Sequence, residues 1–372
     1  MLVIDRKNNN RKDHMIEVES YQIKRISDME KFGKEWERLQ SGSEMTFFQT
    51  FSWNCLLVKE FFKKKYDRLF SRIEIIAVKE AGAIILIAPL IIQKAGTDNK
   101  FGGRAKGIYF LGNEGYSDYL NFIYDKCDFN WIDSVIIYIR DKYPGFDICF
   151  NSVRSDSKLK AYMDEHKYEP SETGVAVRVE IKSECSADEY ESSLSKHTRQ
   201  NLRTAQNRLN TDGKAFRMEV TGPITDKEKL SVMRKMHSKR VILKNKSDKD
   251  DIIHKFSATI RVLIRLYGEY FNNVVYQSMQ QTEESVLVIT YIDDKIAGYL
   301  YGVKHKSTVY ILQNSVDLSY KFYSPMFLGA YKFICDCYKD DNDIEVVDFT
   351  RGGNDYKYRL GGEELTVVGY RI

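Results

Sequence analysis

One order of elements is written twice along this chain, and that repetition narrows the available folds more than any single residue does. In the first half, Val18 to Ile26 alternates as a strand, Ser27 can cap a helix from Asp28 to about Leu39, and Phe47 to Trp53 leads into a helix reaching about Lys64. Two apolar runs, Ile73 to Lys79 and Ala83 to Gln93, meet at Glu80-Ala81-Gly82 as a hairpin. A Gly-rich loop from Gly96 to Gly107 follows, then a strand from Ile108 to Leu111. An amphipathic helix from Phe129 to Tyr143 and a strand from Phe146 to Phe150 complete the half.

The second half runs in the same order. Val175 to Ile181 reads as a strand, Ala187 to Leu209 as one long basic helix, and Phe216 to Val220 as a strand. Helices are predicted from Asp226 to Arg240 and from Asp251 to Phe271. Ser285 to Tyr291 and Lys295 to Val303 form a hairpin over Ile292-Asp293-Asp294, followed by a strand from Thr308 to Gln313. A helix from Ser324 to Tyr338 and strands from Ile344 to Phe349 and from Leu365 to Tyr370 close the chain. The halves share pattern, not residue identity.

At 372 residues the chain exceeds what one core usually supports. The expected fold class is α+β in two domains, residues 16–172 and 173–372, each a central mixed sheet flanked by helices, with the boundary near Pro170 to Gly174. Residues 1–15, polar and rich in Asn and Lys, read as a disordered tail. A formal charge of +4 from 57 basic and 53 acidic residues describes a mixed surface and excludes a polybasic nucleic-acid binder. The six cysteines follow no zinc or disulfide spacing, so no metal is expected. No run is apolar long enough to span a bilayer, and a cytoplasmic location is expected.

The chemistry-bearing residues cluster in the second half. Asp348-Phe349-Thr350-Arg351-Gly352-Gly353 ends a buried strand with charges and glycines, where open sheets place ligand sites, and Tyr356 and Lys357 follow within a short loop. Lys196, Arg199 and Arg203 share one face of the basic helix, which suits either a phosphate guest or a solvated, salt-bridged surface. His237 and Arg240, three apart, can reach one cleft. Ser324-Pro325 is a helix start whose free N–H groups can hold a pyrophosphate or simply cap the helix. Gln313 closes the strand before it. Ser117-Asp118-Tyr119 turns at a strand end in the first half.

In that order these segments resemble the tandem acetyltransferase family of CelD/BcsL type, from bacterial cellulose and exopolysaccharide biosynthesis. The residues that carry the resemblance are Phe48-Gln49-x-x-x-Trp53, Ser117-Asp118-Tyr119, Arg199 and Arg203, His237-x-x-Arg240, Ser324-Pro325, and Asp348-Phe349-x-Arg351-Gly352 with Tyr356-Lys357. It covers roughly residues 20 to 370. Met326 departs from it, standing where the family has Gly, and so does Val241, standing where an aromatic follows the Arg.

The resemblance implies two acyl-CoA N-acyltransferase (GNAT) domains and an acetyl-CoA or other acyl-CoA donor. The acceptor it implies is an amine or hydroxyl on a small molecule or glycan precursor. On that basis His237 and Asp348 are candidate bases and Tyr356 the candidate acid. Asp118, Arg203, Arg240, Arg351 and Lys357 are candidate substrate contacts, and Gln313, Ser324 and Met326 candidate donor contacts. Fem-type transferases, which share the tandem fold and use aminoacyl-tRNA, are the alternative. A non-catalytic glycan-binding or assembly protein is the third reading.

Overall fold

The computed structural model describes residues 2–4, 16–63, 67–94, 106–113, 117–249, 273–339 and 342–372. The helix expected at Asp251 to Phe271, and most of the Gly96 to Gly107 loop, lie outside them. The chain divides into two compact units, Met1–Gly174 with Thr366–Ile372, and Val175–Leu365. Order along the chain alone had kept the whole carboxyl end with the second half.

In the first unit the strands are β1 (Leu2–Ile4), β2 (Ile16–Ile23), β3 (Ser71–Glu80), β4 (Ala83–Gln93), β5 (Gly107–Phe110) and β6 (Asp147–Arg154). They lie in the order β1-β2-β3-β4-β5-β6, with residues from the last strand of the chain beside β6. Leu2–Ile4, within the expected tail, pair antiparallel with β2. The helices are α1 (Gly33–Leu39), α2 (Phe51–Lys63), α3 (Asp67–Phe70), α4 (Phe129–Lys142) and α5 (Lys158–Glu165). The helix expected from Asp28 begins as two short 3-10 turns and becomes α-helical at Gly33.

The second unit follows with β7 (Pro170–Glu180), α6 (Ala187–Ser193), α7 (Lys196–Thr211), β8 (Phe216–Thr221), α8 (Lys227–Lys249) and α9 (residues 273–281). Then come β9 (Ser285–Ile292), β10 (Lys295–His305), β11 (Thr308–Val316), α10 (Pro325–Cys337), β12 (Val346–Arg351), α11 (Asp355–Arg359) and the start of β13 (Glu363–Arg371), whose residues from Thr366 onward belong to the first unit. Its sheet runs β7-β12-β11-β10-β9-β8, antiparallel except for β11 and β12. The single basic helix expected from Ala187 to Leu209 is two helices. The backbone leaves the helix at Leu194, and the Ser195 hydroxyl accepts from Thr198 N at 3.1 Å to start α7.

Apolar faces put α10 onto the sheet: Phe327, Leu328, Phe333 and Ile334 join Val288, Leu300, Val309 and Ile311 in one core. The approach is close enough to require glycine. A Cβ on Gly329 would come 2.5 Å from Thr290 Cγ2, and one on Gly298 3.1 Å from Met326 N.

Two parallel pairings position everything that follows. In the first unit β5 and β6 stay in register for three residues, to Tyr109 and Cys149. Beyond that point the chain supplies its own filling. Leu120 N donates to Ser152 O at 3.0 Å, Ile123 exchanges backbone bonds with Ile87, and Phe122 packs 5.1 Å from Phe110 and 5.3 Å from Phe150. The filling is fastened by Trp53 Nε1 to Ser117 Oγ (2.8 Å) and Gln49 Nε2 to Tyr119 O (2.7 Å). The two sequence motifs of the first half therefore bind each other as buried structure.

Candidate active site

In the second unit β11 and β12 likewise stay in register for three residues, ending at Tyr310 and Asp348, and then part. β11 continues to Val316 while β12 bends away. At the bend Thr350 adopts a left-handed conformation, φ 56°, and Gly352 follows at φ 97°. A β-branched residue at positive φ is strained by about 1–3 kcal/mol and needs its surroundings to hold it.

Three groups hold Thr350. Its N–H donates to Asp348 Oδ1 at 2.7 Å, its hydroxyl reaches Ile311 O at 3.1 Å across the parting, and its carbonyl accepts from Lys357 Nζ at 3.0 Å. Lys357 also donates to Phe349 O (2.8 Å) and Arg351 O (2.9 Å), with only 2 % of its surface exposed. All three ammonium protons thus have backbone carbonyls, and the side chain holds the strand end in place of the substrate contact expected of it. Asp348, 4 % exposed, likewise serves the turn. Arg351 is exposed just beyond it.

Past the parting, a bulge in β11 decides which side chain faces where. Tyr301 pairs with Gln313 but the next residue, Gly302, pairs with Ile311, so Leu312 is the extra residue. Gln313 enters the core and accepts from Tyr299 Oη at 2.7 Å, an internal bond in place of the expected donor contact. Asn314, which the sequence had not singled out, becomes the centre of the site. Arg240 Nη1 donates to Asn314 O at 2.7 Å and to its side-chain Oδ1, and Asn314 Nδ2 donates to Tyr356 Oη at 2.9 Å.

His237 and Arg240 come from α8, whose start is fixed by Asp226 accepting from Glu228 N and Lys229 N. His237 Nδ1 is buried and has no hydrogen-bond partner. Burial, then the charge of Arg240, bring the imidazole down to about 4, against the opposing pull of the Asn314 carbonyl. His237 is therefore neutral near pH 7. Tyr356, on α11 where a loop was expected, packs edge-on to Phe349 at 5.8 Å. Burial pushes its phenol up to about 12, while Arg240 and the Asn314 bond pull the other way.

With a folded pKa below its unfolded value of about 6.5, His237 favours the fold above that pH, and the contribution is lost as pH falls towards 4. Urea unfolding of wild type should lose about 2–3 kcal/mol from this group between pH 7 and pH 4. His237→Gln should lack that part of the pH dependence.

The remaining candidates fall around this cluster or elsewhere. Ser324 precedes α10 in a left-handed conformation, φ 51°, and makes no side-chain cap, contrary to the cap expected of it; Pro325 does occupy the first helical position. The N–H of Met326 lies in that first turn, against Gly298. The turn before it is pinned by Arg208, which donates to Phe322 O at 2.9 Å and stacks 4.0 Å from the Phe322 ring. Arg203 is exposed on α7, whereas Arg199 bonds the carbonyls of Ser192 and Leu194 at the end of α6. Asp118 belongs to the first unit, in the bend after β5.

A cavity of about 460 Å³ between α6, β8 and α10 shares no lining residue with the cluster. Two of its polar residues pair with each other, Tyr331 Oη donating to Glu191 at 2.7 Å. The parting of β11 and β12 instead brings together the neutral His237 ring, whose buried Nδ1 has no hydrogen-bond partner, and the Tyr356 phenol. That pair can accept a proton from one reactant and donate one to another. Among the described residues no cluster of His, Cys, Asp or Glu could hold a metal, and no helix is long and apolar enough to cross a membrane.

Residues 196–358, from α7 to α11 and including the whole cluster, match the family model described as an acetyltransferase (GNAT) domain. No curated protein sequence matches the chain. Among solved structures the chain is similar to FemX, with a TM-score of 0.55 and 11% identity over 94% of this chain and 96% of that one. It is also similar to a conserved protein of unknown function from Bacteroides thetaiotaomicron VPI-5482, with a TM-score of 0.51 and 11% identity over 95% and 99%. These matches, with the mixed sheets and the parted parallel strands, show that the fold is of the GNAT type, mixed α/β and built as two units.

Proposed function

We propose that the protein is an acyltransferase whose reaction takes place where β11 and β12 part. The observation that carries this reading is the convergence on Asn314 of Arg240, His237 and Tyr356, inside the segment that matches the GNAT model. In this reading an acyl-CoA donor lies along the open edge of β11 with its phosphates towards the first turn of α10 and Arg203. An amine or hydroxyl attacks the thioester carbonyl, and the new C–N or C–O bond forms as the C–S bond breaks. His237 Nδ1 takes the proton of the attacking group, whose acidity rises sharply once it bonds to the acyl carbon. Tyr356 gives its proton to the departing thiolate, and the phenolate regains one from His237 through solvent. Atoms and charge balance with no further reactant.

The finer reading carries the acceptor to a sugar or cell-envelope precursor, as the CelD/BcsL resemblance implies. The Fem-type alternative keeps the same cluster and changes the donor to aminoacyl-tRNA; the likeness to FemX favours including it. Calorimetric titration with acetyl-CoA, longer acyl-CoAs and aminoacyl-tRNA separates them. Saturable one-to-one binding of an acyl-CoA is the expected result. Binding of the charged tRNA alone would move the assignment to the Fem-type reaction, and binding of neither would overturn acyl transfer.

A further inference from the structure

We infer that Asn314 is a positioning residue that fixes the direction in which Tyr356 can give its proton. Three side chains, those of Arg240, Asn314 and Tyr356, set that direction. A guanidinium has donors and no acceptor, so the Asn314 side-chain atom against Arg240 Nη1 must be the carbonyl oxygen. The amide cannot be flipped. Its nitrogen therefore faces Tyr356 Oη at 2.9 Å, and that nitrogen can only donate. The phenol oxygen must accept, which directs its own O–H away from Asn314.

The same chain of bonds stabilises what remains after transfer. A phenolate at Tyr356 keeps the Asn314 N–H, and the positive charge on Arg240 polarises that amide through its carbonyl. The bulge at Leu312 is what allows this. Without the extra residue the strand would present the alternate face, turning Asn314 inward and Gln313 towards α8 and α11. The direction of the bond follows from the geometry alone; its use as a proton-donor setting rests on the acyl-transfer reading above.

Asn314→Asp tests it with little change of shape. A carboxylate still accepts from Arg240 but cannot donate, so the Tyr356 hydroxyl must turn and donate to it. The first readout is carbon-13 NMR of tyrosine labelled at the phenol carbon, with the Tyr356 signal assigned by its loss in Tyr356→Phe. Titrated to about pH 11.5, the Tyr356 carbon of wild type should begin to shift towards phenolate while that of Asn314→Asp stays at the phenol position, since a neighbouring carboxylate disfavours the phenolate. Asn314→Ala, which removes the donor without adding charge, should delay the shift by less and serves if the Asp variant does not fold. The second readout is turnover, expected to fall about 10- to 100-fold in Asn314→Asp with the donor KM within about threefold. A Tyr356 carbon that shifts in these variants at the same pH as in wild type, or below it, would overturn the inference, and so would a delayed shift with full turnover. Should wild type bind no acyl donor, acyl transfer fails while the NMR titration still reports on Asn314.

Discussion

Tyr356→Phe should lower turnover by about 10²- to 10³-fold while donor affinity stays within about threefold. The substitution removes one oxygen and keeps the ring that packs 5.8 Å from Phe349. What it deletes is the only part of the residue that can supply a proton to a departing thiolate. The structural cost is one hydrogen bond from Asn314, about 1 kcal/mol, so the melting temperature should move by only a few degrees. Stopped-flow single-turnover rates with a bound acyl donor provide the measurement. A pH profile sharpens it: with the phenol pushed up to about 12, wild type should show no alkaline loss from Tyr356 below about pH 10. A variant retaining full single-turnover rate would remove Tyr356 from the chemistry.

Lys357→Met should act in the opposite way, damaging the fold before the chemistry. The methionine matches the lysine stem but leaves the carbonyls of Phe349, Thr350 and Arg351 without their donor in a buried site. It also releases one of the three restraints on the left-handed Thr350. Together these should cost about 3 kcal/mol or more and lower the melting temperature by roughly 10 °C. Differential scanning calorimetry gives the result directly. A melting temperature like that of wild type, with activity abolished, would return Lys357 to the role of a substrate contact.

These two neighbours illustrate what the sequence could carry. Both stood out as functional side chains after a strand ending in Asp-Phe-Thr-Arg-Gly-Gly, and nothing in their spacing says that one donates to backbone carbonyls and the other accepts from Asn314. The hairpins were legible because turn chemistry is local: Ala81-Gly82 and Asp293-Asp294 all take positive φ as the turn requires. His237 and Arg240 were legible together because helical spacing puts residues three apart on one face. Asn314 was not, because its orientation depends on a single extra residue in β11 and on partners that come from α8 and α11. The break between α6 and α7 escaped for a related reason. Ser195 is a good cap, but it sits in a polar stretch that favours helix on both sides.

The first unit also bears on how the protein is made. Its sheet takes in residues 366–372, where Val367 pairs with Arg154 and Arg371 with Cys149, and Ile148 exchanges both backbone bonds with Ile372. During synthesis the amino-terminal half emerges first, yet β6 has to wait for nearly the whole of the remaining chain before its neighbour exists. The half that is translated earliest is thus the one completed last. Until then its edge at β6 is an exposed template for other strands.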